Sequence, residues 1–307
     1  MSRQAARARR ATDHAGGVRI LVALILCGVS APLSALIGGQ PDTDGRYASV
    51  VSLRIAPDRR CTATKIAPRT FLTAAHCVID IPTGELARPF QPGGEVQVSN
   101  SAEPAGSTSY QTLVVAQTRL PPAFATALKR LHAYQEGQIA DFRTRYQGED
   151  LTRRIAYLHQ HSRITDRFPD LALVQVRTAT PAIAVTPVDL NPLAAGAPVV
   201  LVGYGCERVA DLALGSRAPV RRTWGASRVI RVDAVNFYSF APELSAGTPA
   251  LCPGDSGGPV LRDGRVVGVH GTVWGLGAQD SARSNMSVNL APLGDWDAWP
   301  RPGASLD

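Results

Sequence analysis

The sequence predicts an all-β fold, a barrel or a sandwich, interrupted by one helical stretch. Short segments rich in β-branched and aliphatic residues alternate with turn residues, and the chain contains 28 glycines and 23 prolines. Many short strands separated by frequent turns are typical of antiparallel β architectures. The predicted strands are Ala48–Ile55, Thr70–Ala74, Glu95–Val98, Thr112–Gln117, Leu171–Val176, Pro198–Val202, Arg228–Val232, Pro259–Leu261 and Val266–His270.

One region departs from the strand pattern. Between Pro121 and Ser162 the apolar residues recur every three or four positions, with Arg, Lys, Glu and Gln between them. That spacing predicts one or two amphipathic helices. Residues 177–197, rich in Ala, Pro and Thr, are interpreted as the connection between two halves of the chain.

The first 35 residues have the composition of a secretory signal peptide. Five arginines precede an apolar run at residues 20–30, which is followed by Pro32 and by small residues up to Ala35. We therefore expect cleavage to leave Leu36 as the new N-terminus of a secreted or periplasmic protein. The alternative is an uncleaved membrane anchor, because the 18 uncharged residues 20–37 reach the lower limit of a bilayer span.

The charges are distributed unevenly along the chain. With 32 Lys and Arg against 25 Asp and Glu, the formal net charge is +7. Residues 1–35 hold a net +4, and residues 119–167 hold another +4, so the remainder is nearly neutral. This distribution gives no basis for a nucleic-acid partner. Four of the five cysteines remain after cleavage, an even number that would allow two disulfides in an exported protein.

Three segments contain residue types suited to acyl transfer. Leu72–Cys77 is a β-prone run that ends in a histidine beside a cysteine, and Asp170 opens an apolar strand. In the third segment, Cys252–Pro259, a serine is flanked by glycines. A serine hydroxyl is a weak nucleophile until a base takes its proton, and a buried carboxylate can orient that base.

The residue types assign a role to each group. We interpret His76 as the general base, Asp170 as the orienting carboxylate and Ser256 as the nucleophile. Asp166 is the weaker candidate for the carboxylate, since only Asp170 precedes an apolar strand.

Six segments, in this order, resemble the trypsin/chymotrypsin-like serine proteases. The resemblance covers the chain from Leu36 to about Trp299, apart from the helical stretch. The matching segments are Leu36–Gly39, Thr73–Cys77 around the histidine, Asp170–Leu173, the turn Gly203–Gly205, Gly254–Pro259 around the serine, and Trp296.

The resemblance implies two antiparallel six-stranded β-barrels that form one protease domain, residues 36–307. The first barrel would span residues 36–185, with a helical insertion at about 121–162. The second barrel would span residues 186–307 and end in a short C-terminal helix.

The resemblance also implies how the site is activated. The amides of Gly254 and Ser256 would form the oxyanion hole, and a new ammonium at Leu36 would pair with Asp255. The residue immediately before Leu36 is Ala35, not a Lys or Arg at which a trypsin-like enzyme could cut. We therefore expect signal peptidase itself to create the active N-terminus, with no separate zymogen.

The resemblance further implies a disulfide between Cys61 and Cys77, which lie 16 residues apart. Cys206 and Cys252 are then left to pair by elimination. Their bridge would tie the glycine-aromatic-glycine turn to the nucleophile loop.

Two residues bear on specificity. Ala250 stands six residues before Ser256, where trypsin-type enzymes place the acid that binds Lys or Arg. A pocket without that carboxylate cannot pair a basic side chain, so we expect a small or apolar preference. The alternative is an acidic preference, because His270 resembles a histidine used by glutamate-specific relatives.

The interval between His76 and Asp170 is 94 residues, about twice what is usual in the family, and the helical stretch accounts for the excess. The insertion would be a lid over the cleft, a partner-docking element or a decoration. His159 and His161 within it are interpreted as surface helix residues rather than metal ligands.

The sequence thus predicts a monomeric serine endopeptidase that acts on protein or peptide substrates without a metal or organic cofactor. It would contact a membrane only if the signal stays uncleaved. The alternative is a catalytically silent, protease-like binding module that docks a partner through its basic helices, and a general esterase is the third option.

Overall fold

The structure is a computed structural model that describes residues 36–56, 59–80, 83–104, 109–162, 164–208, 211, 220–240, 248–274 and 284–300. The predicted signal peptide, residues 1–35, lies outside the described residues. In the part of the chain that the structure describes, no helix has the length and apolar character required to cross a bilayer.

Six antiparallel strands form the first barrel. The barrel strands are β2 (Val50–Ala56), β3 (Arg59–Ala67), β4 (Thr70–Thr73), β7 (Glu95–Ser99), β8 (Gln111–Arg119) and β9 (Ala172–Val176). Strand β1 (Gln40–Pro41) precedes them. Between β4 and β7, strands β5 (Ile79–Asp80) and β6 (Glu85–Leu86) form a small separate hairpin. The barrel closes in the order β2-β3-β4-β9-β8-β7.

The second barrel also has six strands. They are β10 (Pro198–Gly203), β11 (Thr223–Val232), β12 (Asn236–Phe240), β13 (Pro259–Arg262), β14 (Arg265–Trp274) and β15 (Ser284–Asn289). The order is β11-β10-β13-β14-β15-β12, and pairing of β11 with β12 closes it. Strand β1 pairs with β11, so the first described segment of the chain adds to the second barrel.

The predicted all-β class with two antiparallel six-stranded barrels is therefore confirmed. Three barrel strands, β3, β12 and β15, have no counterpart among the strands predicted from the sequence. Strand β15 explains why: its sequence is Ser-Asn-Met-Ser-Val-Asn, yet all six residues are buried. A polar segment of this kind gives no apolar signal, because its side chains are satisfied by hydrogen bonds rather than by apolar contacts.

The helices are few, and most helical residues lie in the insertion. They are α1 (Ala75–Val78), α2 (Pro122–Arg145) and α3 (Gly148–His161), the last two filling the predicted helical stretch. A proline occupies the first turn of α2, where its missing N–H costs no helical hydrogen bond. Before the expected C-terminal helix the chain forms a 3-10 helix, Ala291–Leu293, and the described residues 294–300, which include Trp296, are not helical. Residues 301–307 lie outside the described residues.

A buried ion pair connects the two barrels. Arg222 Nε lies 2.6 Å from Asp42 Oδ2, and both side chains are almost fully buried. Arg222 Nη1 donates to the Asn100 carbonyl at 2.9 Å and to the Tyr204 hydroxyl at 3.0 Å. Because a buried charge is costly without such partners, this network fixes the relative position of the elements that it joins.

Candidate active site

His76 is placed by a strand that ends against a single helical turn. All four residues of β4, Thr70–Thr73, are buried, and α1 begins two residues later. A disulfide between Cys77 and Cys61 ties this turn to β3, with the two Cα atoms 6.3 Å apart. The side chain of His76 is 26% exposed and therefore accessible from the cleft between the barrels.

Asp170 reaches His76 because β4 pairs with β9. The register sets Thr73 opposite Ala172, so the residues just before β9 lie beside those just after β4. The buried Asp170 carboxylate accepts the His76 backbone N–H at 2.9 Å through Oδ1, and its Oδ2 lies 2.6 Å from His76 Nδ1. Two bonds to one carboxylate fix both the main chain and the ring.

These contacts set the protonation of the imidazole. Burial lowers the pKa of His76, but the charge and hydrogen bond of Asp170 outweigh it, and the pKa is raised despite an opposing contribution from Arg59. The carboxylate also selects the tautomer with the proton on Nδ1, which leaves Nε2 as an acceptor. Asp166, the weaker sequence candidate, instead accepts the Asn236 side-chain amide through its backbone carbonyl.

Ser256 lies on a loop that two left-handed glycines shape. Gly254 has φ 105° and Gly257 has φ 84°, conformations that L side chains rarely adopt. A Cβ on Gly257 would also lie 2.1 Å from Thr73 Oγ1 and 2.3 Å from the Thr62 carbonyl oxygen. The glycines are therefore needed for the loop to approach the first barrel closely.

The three predicted catalytic side chains share one cavity. His76, Asp170 and Ser256 all line a cleft of about 410 Å³. In this structure the Ser256 hydroxyl points toward the Gly271 carbonyl oxygen, 3.5 Å away.

Two amides of the nucleophile loop are available to a ligand. Within Gly254–Gly258, three backbone N–H groups donate to backbone carbonyls at 2.8–3.0 Å. The N–H groups of Gly254 and Ser256 have no acceptor among the described residues. These are the two donors that the resemblance assigns to an oxyanion hole.

Asp255 holds the loop from behind. Its fully buried carboxylate accepts the Gly205 N–H at 2.7 Å and the Cys252 N–H at 2.8 Å. A Cβ on Gly203 or Gly205 would lie within 2.3 Å of the Asp255 carboxylate oxygens, so the turn is glycine-rich where it packs on this side chain. Burial raises the pKa of Asp255 well above its ordinary value. The hydrogen bonds from the Cys252 and Gly205 amides lower the pKa, but by less than burial raises it.

A second disulfide joins the same two segments. Cys206 and Cys252 are bonded, with their Cα atoms 5.4 Å apart. This is the pairing that elimination gave, and it links the glycine-rich turn to the nucleophile loop beside Asp255.

The expected Leu36–Asp255 pair is not formed in the uncut chain. The buried Leu36 donates its backbone N–H to Thr223 Oγ1, and it packs among apolar residues of the second barrel. An ammonium at Leu36 exists only after cleavage, so its pairing with Asp255 stays a prediction.

The two specificity candidates are fully buried and do not line the cavity that contains the catalytic residues. Ala250 forms a two-way backbone bridge with Ile37. His270 lies behind the nucleophile loop, and burial lowers its pKa to about 3. It is therefore a neutral imidazole at physiological pH, and its Nδ1 lies 3.4 Å from the Ser287 hydroxyl.

Thr62 is a site residue that the sequence analysis missed. Its hydroxyl donates to the Gly254 carbonyl at 2.7 Å and accepts the Tyr204 N–H at 3.0 Å, and its own N–H donates to the Ser256 carbonyl at 2.8 Å. Thr62 thus connects the first barrel to the nucleophile loop. A threonine in a strand carries no sequence signal for such a role.

The insertion also contributes to the cavity. Seven of its residues line the cleft together with the catalytic side chains: Phe124, Leu128, Leu131, His132, Gln135, His159 and Ser162. The two histidines near the end of α3 have different surroundings. His159 lines the cavity, whereas the ring of His161 stacks on that of Tyr157.

Known proteins share this architecture. A family model described as a trypsin-like peptidase domain matches residues 61–269. Solved structures of human heparin binding protein and of a point mutant of it match with a TM-score of 0.55 and with 17% and 16% sequence identity. Each match covers 87% of this chain and 99% of the other. At this identity the structural likeness shows the fold alone.

Proposed function

This chain belongs to the trypsin-like peptidase family, and we propose that it is an exported serine endopeptidase that hydrolyses peptide bonds through an acyl-enzyme at Ser256. The observation that carries the proposal is the double contact of Asp170 with His76, inside a cleft that Ser256 also lines. Such a pair prepares an imidazole to accept a proton on its remaining nitrogen.

In the acylation step, the Ser256 hydroxyl oxygen attacks the scissile carbonyl carbon while His76 Nε2 takes the hydroxyl proton. The carbonyl oxygen becomes an oxyanion that the free amides of Gly254 and Ser256 stabilise. Collapse of this tetrahedral species breaks the C–N bond, and the leaving amine takes the proton from His76. Water then repeats the sequence, and release of the acid product restores the serine.

Asp170 contributes most when His76 is charged. The raised pKa of His76 means that the protein stabilises the imidazolium formed during attack. The same shift means that His76 becomes a neutral, competent base only at a higher pH than a free histidine would. Activity therefore rises with pH as His76 loses its proton.

The contacts of the nucleophile loop favour an oxyanion hole that is already formed. Asp255, the Cys206–Cys252 bridge and Thr62 hold the loop from three directions. Donors that need no reorganisation during the reaction stabilise the transition state most effectively. Both disulfides also fit an oxidising compartment, in line with a secreted or periplasmic location.

The rival proposal is a silent binding module that docks a partner through the basic insertion. Two observations favour it: residues 119–167 hold a net +4 charge, and a structural neighbour is named for binding heparin, a polyanion. The oriented histidine favours the enzyme, and so do the amides of Gly254 and Ser256, which have no acceptor in the part of the chain that the structure describes. A docking module uses neither of these features. A general esterase would share the acyl-enzyme and differ only in its substrate.

A fluorophosphonate probe separates the enzyme from the binding module. The protein produced from the full chain should become covalently labelled at Ser256. The variant Ser256→Ala should stay unlabelled, and Ser162→Ala should label as the wild type does, since Ser162 is another serine of the same cleft. A folded wild-type protein that resists the probe, or label retained in Ser256→Ala, would support the rival.

A further inference from the structure

One face of helix α2 forms a wall of the catalytic cleft. Phe124, Leu128, Leu131, His132 and Gln135 line the cavity that also contains His76 and Ser256. Their spacing of three and four places them on the same side of the helix. The insertion is thus continuous with the reacting groups rather than remote from them.

The wall is fixed to the first barrel. Phe124 is fully buried and Leu128 is 7% exposed, and both belong to the same hydrophobic core as Leu171 and Ile79. A Cβ on Gly84, in the hairpin that follows His76, would lie 3.3 Å from the Cβ of His132. Because Phe124 and Leu128 pack into the core, this part of α2 is held against the first barrel as a wall of the cleft.

The cavity combines the apolar part of this wall with polar groups. Phe124, Leu128 and Leu131 supply aliphatic and aromatic surface. Two further lining residues, His132 on α2 and His159 on α3, have Nδ1 atoms that are buried without a hydrogen-bond partner among the described residues. Buried polar atoms without partners are uncommon in folded proteins, and a ligand that enters the cavity can supply the partner. A peptide offers both an apolar side chain and backbone amides.

We propose that the apolar part of this wall is a substrate subsite that binds a bulky apolar side chain, such as Leu or Phe, close to the scissile bond. The inference rests on the proposed endopeptidase function and goes beyond it, because it assigns specificity to an element outside the barrels. The insertion therefore selects among peptides through the cleft itself.

Paired peptide substrates test this subsite. The two peptides of a pair differ at one position only, which is Leu in one peptide and Gly in the other. Six pairs place this difference at each of the three positions on either side of the cleaved bond. The wild-type protein should favour Leu at one position by about tenfold or more in kcat/KM, the range expected for filling an apolar pocket. Leu131→Ala should reduce that ratio severalfold, because the half-buried Leu131 lies in the wall but outside the core.

Two variants serve as controls. Leu131→Met conserves the side-chain volume and should keep the preference for Leu. Tyr134→Ala removes a large side chain that is 55% exposed on another face of α2, and it should also keep the preference. Thermal unfolding of each variant shows whether the fold is retained.

The outcomes distinguish the two proposals. If the wild type cleaves the Leu and Gly peptides equally at every position, the subsite is refuted and the endopeptidase stands. An unchanged ratio in Leu131→Ala refutes the subsite in the same way. If the folded wild type cleaves no peptide at all, the endopeptidase falls and the subsite falls with it.

Discussion

At the residue scale, the chemistry depends on a few groups whose positions follow from strand pairing. That His76, Asp170 and Ser256 meet in one cleft could be predicted from the sequence, because the flanking motifs are specific and occur in order. Thr62 and Leu131 could not be predicted, since a strand threonine and a helical leucine look like ordinary structural residues. Only the packing of the barrels and of α2 brings them to the cleft.

Removing the charge of Asp170 should abolish most of the activity. In Asp170→Asn the side chain no longer favours the Nδ1–H tautomer or stabilises the imidazolium, so kcat should fall by about 10⁴-fold. Asp166→Asn is the matched control and should retain activity, because the Asp166 carboxylate does not contact His76. Steady-state kinetics on one peptide substrate measure both. Equal losses in the two variants would contradict the role given to Asp170.

Protonation of His270 should destabilise the protein in acid. Burial lowers the pKa of His270 to about 3, so between about pH 6.5 and pH 3 the unfolded chain binds a proton that the folded chain does not. The His270 contribution to stability is therefore present above pH 6.5 and is lost as the pH falls, by about 1.4 kcal/mol per pH unit.

Urea unfolding between pH 4 and pH 8 tests this contribution. The neutral variant His270→Gln should show a shallower loss of unfolding free energy in acid than the wild type. His161→Gln, a change at an exposed helical histidine, should leave the slope unchanged. Parallel pH profiles for wild type and His270→Gln would show that His270 is protonated in the folded protein.

At the element scale, periodicity identified the elements that bury one apolar face. The strands predicted from alternating residues are present, and so are both helices of the insertion. Strand β15 was missed because its buried residues are mostly polar: the Asn285 side chain accepts the Leu251 N–H and donates to the Pro249 carbonyl. The position of the insertion against the cleft was also beyond the sequence, since it depends on contacts between distant segments.

Loss of the second disulfide should impair the oxyanion loop as well as stability. The Cys206–Cys252 bridge closes a loop with a sequence separation of 46, worth about 4 kcal/mol in the chain-entropy model, against about 3 for Cys61–Cys77. In urea titrations, the double variant Cys206→Ser/Cys252→Ser should lose about 4 kcal/mol of unfolding free energy, and Cys61→Ser/Cys77→Ser should lose about 3 kcal/mol. The Cys206/Cys252 variant should in addition lose kcat more than KM rises, because it frees the loop that carries Ser256.

The kcat of that variant provides the contrary outcome. If kcat is unchanged in the folded Cys206/Cys252 double variant, the bridge contributes stability alone and does not position the nucleophile loop.

At the scale of the whole molecule, the two barrels form the site at their junction, and the charge lies elsewhere. The formal net charge of +7 divides into +4 in residues 1–35, +4 in residues 119–167 and −1 in the remainder, so the barrels themselves are almost neutral. The fold class and the grouping of His76, Asp170 and Ser256 in one cleft could be predicted from motifs and patterning. The contribution of the insertion to that cleft could not, because it depends on how α2 packs against the first barrel. The roles of Ala250 and His270 in specificity stay predictions.

Export should leave a defined N-terminus. We expect N-terminal sequencing of the exported protein to give Leu36 as the first residue, since Ala35 suits the residue before a signal-peptidase cut. Replacing Ala35 by Leu should slow this cut. A protein that reads Met1, or a stable inactive form with extra residues ahead of Leu36, would contradict direct activation by signal peptidase.

Cleavage of an unfolded protein substrate is the decisive measurement of endopeptidase activity. The protein produced from the full chain should release fragments by cutting internal peptide bonds, and Ser256→Ala should lower kcat by on the order of 10⁶-fold while keeping the fold. Circular dichroism of both proteins establishes that they are equally folded. A folded wild type with a free Leu36 that cuts no peptide bond, or a Ser256→Ala variant that cuts as fast as the wild type, would contradict the endopeptidase function.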